Sequence, residues 1–233
     1  MSAHFLSGLQ LHCRQILAIS QNMAAGPDFS FELAAHSRGL TLIAGADEVG
    51  RGPLCGPVVA AAVILDPMRI PSGLNDSKKL SEKIRARLFD ELMAVATVGI
   101  GAATEEEIDQ INILRASHLA MERAIAALAH VPDHLLIDGN QKPRGLQFSC
   151  ETIVKGDGKS VSIAAASIIA KVTRDRIMVD LAQQHPGYGW EKNAGYPTKD
   201  HLAALQKVGV TPVHRRSFKP VHNMLYQEKF VSA

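Results

Sequence analysis

Two short apolar runs, residues 40–47 and 58–65, are rich in β-branched side chains and separated by a stretch dense in glycine and proline. Runs of this length bounded by breakers read as buried strands, paired as a hairpin with an unusually elaborate turn. At the edge of that core stand Asp47 and Glu48, followed at once by Gly50-Arg51-Gly52. A buried ionised carboxylate is costly without a partner, and two adjacent ones also repel. A divalent cation such as magnesium or manganese removes both penalties, because hard cations take oxygen ligands. Neighbouring side chains of a strand point to opposite faces. The pair therefore serves one ion only if the strand ends or twists there, which Gly50 allows; a polar loop start is the ordinary alternative.

The rest of the chain extends this into one α/β domain without a repeat. A short helix is expected within residues 29–40. Leu80, Ile84, Leu88, Leu92 and Val95 recur at helical intervals behind a Ser81 cap, and residues 96–103 read as a third strand. Thr104-Glu105-Glu106-Glu107 has the capping-box pattern and opens a mainly helical stretch to about residue 129. Residues 134–138 and 148–154 read as two more strands. An alanine-rich helix follows Ser160 and stops before His185-Pro186-Gly187, and a last helix runs from Thr198 to Gly209. Residues 1–28 are expected to be an extension, partly helical or disordered, and residues 29–233 the main domain.

Totals exclude several classes. No segment approaches the roughly 20 uninterrupted apolar residues of a membrane span, and the first residues lack the apolar core of a secretion signal. Cys13, Cys55 and Cys150 are scattered with no Cys-x-x-Cys pair. That argues against a disulfide framework and a thiolate zinc site and fits a reducing cytoplasm. A net charge of +2 proves no polyanion partner, but basic residues gather at Lys78-Lys79, at 155–159 and at 214–219. Each cluster is either solvated surface or a nucleic-acid contact.

Further carboxylates stand at informative positions. Asp138 closes the apolar Leu135-Leu136-Ile137 before a glycine, where α/β sheets often present a ligand; aspartate is also a common turn residue. Asp157 lies in Lys155-Gly156-Asp157-Gly158, again a turn or a ligand. Asp175, between two arginines in a helix, reads as a structural ion pair. Gly50-Arg51-Gly52-Pro53-Leu54-Cys55-Gly56 is one residue longer than a dinucleotide fingerprint and leads into a strand instead of a helix, so that reading fails.

Taken in order, these stretches resemble type II ribonuclease H, the ribonuclease HII family, over about residues 29–219. Asp47-Glu48-Val49-Gly50-Arg51-Gly52 resembles its D-E-x-G-R-G signature, with valine where alanine is frequent. Asp76-Ser77-Lys78-Lys79-Leu80 resembles D-S-K-K-L, and Leu136-Ile137-Asp138-Gly139 its strand-end aspartate. Lys155-Gly156-Asp157, the alanine-rich 164–172 segment, Gly195-Tyr196-Pro197-Thr198 with His201, and His214-Arg215-Arg216-Ser217-Phe218 continue the series.

The resemblance implies a ribonuclease H-like fold: a mixed five-stranded sheet flanked by helices, with a C-terminal helical extension. It implies Asp47, Glu48, Asp138 and Asp157 as catalytic, metal-coordinating carboxylates for two ions, Mn2+ or Mg2+. Two metals ~3.5–4 Å apart can activate water and steady the leaving oxyanion. Gly50, Arg51 and Gly52 would read the 2′-hydroxyl at an RNA–DNA junction largely through their backbone, which glycines let approach closely. Tyr196 would pack on the DNA-side sugar, and Ser77 and Lys79 would hold the phosphate backbone. The implied activity is endonucleolytic cutting of the RNA strand of RNA–DNA hybrids, including 5′ of single ribonucleotides embedded in duplex DNA. It would leave 3′-hydroxyl and 5′-phosphate ends and serve ribonucleotide removal from DNA. No sliding-clamp peptide is evident at the C-terminus, and a cytoplasmic monomer is expected. Tyr196 favours type II over the related type III branch. Another metal-dependent nuclease on this fold, or a non-catalytic hybrid-binding protein, are the alternatives; neither accounts for both the carboxylates and Gly-Arg-Gly.

Overall fold

Asp47 and Glu48 lie inside a strand, and the fold is most easily followed outward from it. The computed structural model describes residues 26–226. Strand β1 (Ile43–Val49) pairs antiparallel with β2 (Val58–Ile64), with Asp47 opposite Ala61, so the expected hairpin forms. β2 pairs antiparallel with β3 (Thr97–Ala103). On its other side β1 runs parallel to β4 (His134–Asp138), which runs parallel to β5 (Cys150–Ile153). The order β3-β2-β1-β4-β5 makes a mixed five-stranded sheet, as expected. β1 continues through the carboxylate pair to Val49, and β5 is shorter than 148–154.

Helices cover both faces. In chain order they are α1 (Ser30–His36), α2 (Glu82–Val95), α3 (Glu105–Ile111), α4 (Ile113–Ala126) and α5 (Val161–Gln184), then α6 (Trp190–Asn193), α7 (Lys199–Val208) and α8 (Lys219–Tyr226). Ser81, Thr104, Ser160 and Thr198 cap α2, α3, α5 and α7 by accepting from backbone N–H groups. The stretch expected as helical from 104 to 129 is broken at Asn112. That residue sits at φ 67° and caps α4 through its side chain, which accepts from Leu114 and Arg115. Asparagine is a strong N-cap. α7 is not the last helix, since α8 follows it.

The buried first half of α5 packs with α2 against one sheet face, around Ala61, Val63, Leu88, Ala165 and Ile169. α4 packs on the other, where Ala44, Ala60 and Ala62 meet Ala116, Ala120 and Ala124. Small residues let these layers approach closely. A Cβ on Gly45 would overlap the Ser162 backbone at the start of α5. A separate cluster of Leu54, Cys55, Met178, Tyr188, Trp190 and Leu205 fastens the C-terminal helices to the β1–β2 loop.

Asp28 bridges to Ser160, exchanging hydrogen bonds with Lys159 and Val161, and Phe29 is in the core. The extension expected over 1–28 otherwise lies outside the described residues, as does the C-terminal segment from 227. No helix among the described residues is long and apolar enough to cross a membrane.

Candidate active site

On successive positions of β1, Asp47 and Glu48 leave the strand on opposite faces. Asp47 shares the parity of Gly45 and Val49 and lies on the α5 side; it is only 5% exposed. Glu48 shares the parity of Ala44 and lines a cavity on the α4 side with Arg51, Ser117, His118 and Asp138. The strand does not end between them. What brings them to one site is Asp138, closing the parallel neighbour β4. Ala46 is level with Ile137, which sets Asp138 beside Asp47.

Asp138 also holds the fourth carboxylate in place. Its Oδ1 accepts from the Gly156 N–H at 2.6 Å, at the start of a 3-10 turn (Gly156–Gly158) that carries Asp157. Lys155 enters the turn at φ 56°, a left-handed conformation uncommon for a side-chain-bearing residue. The Lys78 ammonium lies 3.6 Å from Asp157 Oδ2. The Asp76 carboxyl, whose charge acts on Asp157, adds a fifth acid at the rim.

Burial is the largest influence on Asp47; with repulsion from Glu48, Asp138 and Asp157 it holds this carboxyl well above the usual carboxylate range. Burial also raises Glu48, against the pull of the Arg51 guanidinium, and Asp138 adds to the rise. Asp157 is raised by burial, then by Asp76 and Asp138, against Lys78. Desolvation works against the Lys78 charge, yet Asp157, Asp47, Asp76 and Asp138 together raise its pKa. The charge of Asp138 thus acts on the other three, which puts it at the electrostatic centre. A cluster of converging, half-dried oxygen donors is the donor set suited to magnesium or manganese, and Asp47, Glu48, Asp138 and Asp157 could hold such ions.

Beside the carboxylates the chain turns through Gly50 at φ +95°, which a side chain would strain. Arg51 is half exposed, with Nη1 3.3 Å from Glu48 Oε1. The exposed Tyr196 ring faces Gly52: its Cε1 would lie 3.3 Å from a Cβ there. The structure therefore brings Gly52 and Tyr196 together from distant parts of the chain.

The Asp76-Ser77-Lys78-Lys79 segment places its side chains unequally. Asp76 caps a 3-10 turn (Ser77–Lys79) through the Lys78 N–H. Ser77 is buried and its hydroxyl accepts from Ser167 Oγ at 2.7 Å, so it faces the core. Lys79 is exposed, but it is Lys78 that reaches Asp157. Adjacent lysines are alike in sequence; only the turn decides which one reaches the acids. Asp175 pairs with Lys171 at 2.7 Å, as a structural ion pair should.

The 214–219 basic cluster is not all surface: His214 and Arg215 are buried, as is Arg174 on α5. Cys55, His201 and His214 offer side-chain atoms within 4.8 Å of one another. Three of the four ring nitrogens are committed elsewhere, and His214 Nε2 faces His201 Nε2 at 3.4 Å. His201 Nδ1–H donates to the Tyr196 carbonyl and its Nε2 accepts from Trp190 Nε1–H at 2.9 Å. His214 Nδ1 accepts from the Thr211 N–H at 3.0 Å, and burial pushes the Cys55 thiol up to about 12. This trio is a neutral brace under Tyr196, not a cation site.

The ribonuclease HII family model matches residues 44–221. The chain belongs to the ribonuclease HII family. Among curated members of that family, the ribonuclease HII of Ruegeria pomeroyi is 65% identical over 218 residues, covering 94% of this chain and 91% of that protein. The ribonuclease HII of Cereibacter sphaeroides (strain ATCC 17025) is 64% identical over 208 residues, 89% of this chain and 98% of that one. Among solved structures, ribonuclease H2 from Pyrococcus horikoshii OT3 superposes with a TM-score of 0.69 at 28% identity, over 83% of this chain and all of that one. As a member of that family the chain is an enzyme, an endonuclease that hydrolyses phosphodiesters with ribonuclease H activity.

Proposed function

We propose that this member of the ribonuclease HII family cuts the RNA strand of RNA–DNA hybrids and cuts 5′ of single ribonucleotides embedded in duplex DNA, leaving 3′-hydroxyl and 5′-phosphate ends. The observation that carries the reading is the contact between Gly52 and the exposed Tyr196 ring, next to the four carboxylates. A glycine backbone facing an aromatic ring suits a narrow test: a ribose 2′-hydroxyl against the main chain, with the neighbouring deoxyribose on the ring. Asp47, Glu48, Asp138 and Asp157 would hold two divalent ions, Mg2+ or Mn2+. When bound, these ions supply water activation and charge stabilisation at the leaving oxygen.

The chain's own groups do the rest. Asp138 ties the two parts of the carboxylate set through Gly156. Lys78, poised on Asp157, sets a positive charge where a phosphate would approach. Arg51 rests on Glu48 and keeps that carboxylate turned toward the loop. In this reading Lys78 takes the phosphate-facing role beside Lys79, and Ser77 supports the turn from below. Residues 29–233 would form the catalytic unit, a cytoplasmic monomer acting in removal of ribonucleotides from DNA.

Cleavage-site mapping on a duplex with one embedded ribonucleotide, in magnesium and in manganese, tests substrate, metal and regiochemistry together. The expected product is a single cut 5′ of the ribonucleotide. Equal cutting of an all-DNA duplex would point to a general nuclease, and binding without cutting in either metal to a hybrid-binding protein.

A further inference from the structure

Arg174 and Arg215 are each 0% exposed. Neither forms an ion pair with a carboxylate among the described residues. Their donors go to main-chain carbonyls. Arg215 donates from Nη2 to Gly50 and Gly56 at 2.7 Å each, from Nη1 to Pro53 at 2.8 Å and Arg51 at 3.2 Å, and from Nε to Gly56 at 2.9 Å. Arg174 donates from Nε to Pro57 at 3.0 Å, from Nη2 to Cys55 at 3.1 Å, and from Nη1 to Ala194 at 2.9 Å. Burial and the neighbouring Arg174 charge push the Arg215 guanidinium down to about 9, and burial lowers Arg174 as well; an arginine side chain keeps its proton in a protein. Glu105 acts on both charges from a distance, but two buried cations without a carboxylate in direct contact are a poor device for stability alone, since desolvation is expensive. They do control direction.

A trans peptide sets the carbonyl of one residue and the N–H of the next on opposite sides. Pinning the Gly50 and Arg51 carbonyls onto Arg215 therefore turns the N–H groups of Arg51 and Gly52 to the other side of the loop. Arg174 adds a second constraint. The Ala194 carbonyl it holds belongs to a residue at φ 48°, two positions before Tyr196. One guanidinium thus spans the glycine loop and the segment bearing the aromatic ring.

We propose that Arg174 and Arg215 are positioning residues for ribonucleotide selection: Arg215 aims the N–H groups of Arg51 and Gly52, and Arg174 fixes the spacing between that loop and Tyr196. This rests on the reading that the loop senses the 2′-hydroxyl. Lysine would keep the charge at either position but has no planar fork to span several carbonyls.

The experiment compares wild type with Arg215→Lys and Arg174→Lys. It measures kcat and KM on a duplex with one ribonucleotide, the inhibition constant of the matching all-DNA duplex, manganese affinity and melting temperature. The expected result is a KM for the ribonucleotide duplex raised about tenfold or more. The all-DNA inhibition constant and manganese affinity should stay within about twofold, because the carboxylates and surface lysines are untouched. Folded variants with unchanged preference for the ribonucleotide duplex would overturn the proposal. If the lysine variants do not fold, the wild type decides. In calcium, amide resonances of Arg51 and Gly52 should shift with the ribonucleotide duplex and not with all-DNA duplex; equal shifts with both overturn the assignment. Failure of the wild type to prefer a ribonucleotide at all would instead remove the underlying reading.

Discussion

At Asp138, catalysis and stability pull in opposite directions. Its charge raises the pKa of Asp47, Glu48 and Asp157, so it is the shared source of repulsion in the site. Asparagine keeps an oxygen for the Gly156 N–H but removes the charge. Asp138→Asn should lower turnover on a ribonucleotide duplex by about 100-fold or more, since lost ion binding forfeits several kcal/mol of transition-state stabilisation. The same substitution should raise the melting temperature measured in a chelator. Unchanged turnover would remove Asp138 from the catalytic set. Single residues were also where the sequence spoke most unevenly. The four carboxylates stood out as a set only through the family resemblance, because each alone reads equally well as an ordinary loop start or turn residue. Arg215 was not legible, because arginine is usually a surface residue and its acceptors are carbonyls about 160 positions away. The burial of Ser77 was not legible for the converse reason: in a polar motif, nothing local says that its hydroxyl meets Ser167 in the core.

The C-terminal helices answer to pH through their histidines. Burial, followed by the nearby His201, lowers His214 from 6.5 to about 4, and burial lowers His201. A base depressed in the folded state gives its full stabilisation above the unfolded pKa and loses it as pH falls. The window therefore runs from about 6.5 down toward 4, and a depression of that size corresponds to roughly 3 kcal/mol. Protonating His201 Nε2 also ends its acceptance from Trp190. Trp190 is the chain's single tryptophan, so its emission should shift to the red across this window while the sheet persists in far-ultraviolet circular dichroism. Emission that changes only with the sheet would show that the brace does not open separately. Among the elements, the helix starts were legible because Ser81, Thr104, Ser160 and Thr198 satisfy orphan N–H groups by a local rule. The break between α3 and α4 was less so, because the stretch is helix-forming on both sides of Asn112.

For the whole molecule, the sheet order puts the C-terminal ends of parallel β1 and β4 side by side, and there the acids meet. A ligand that binds this constellation only when folded stabilises the entire domain. Manganese at about a hundred times its dissociation constant should add about 3 kcal/mol. For a chain of this size that is on the order of 5–10 °C in melting temperature. Chelation should reverse the gain, and Asp138→Asn should abolish most of it; equal gains in both proteins would place the ion elsewhere. The five-strand plan was legible from apolar runs and breakers. The tight layering was not, because it depends on pairs such as Gly45 and Ser162 that no local pattern connects.

One helix has a mechanical consequence. α5 begins next to the turn carrying Asp157, and Arg174 lies on the same rod, fourteen residues beyond Ser160, about 20 Å along its axis. A helix is stiff along its length, so cutter and gauge share one shaft. Adding one residue between Ala166 and Arg174 would rotate the guanidinium by about 100° and advance it by about 1.5 Å. The acids at the head of the shaft would stay where they are. An enzyme altered in this way should still take up manganese with near-normal affinity while losing its sense of where to cut.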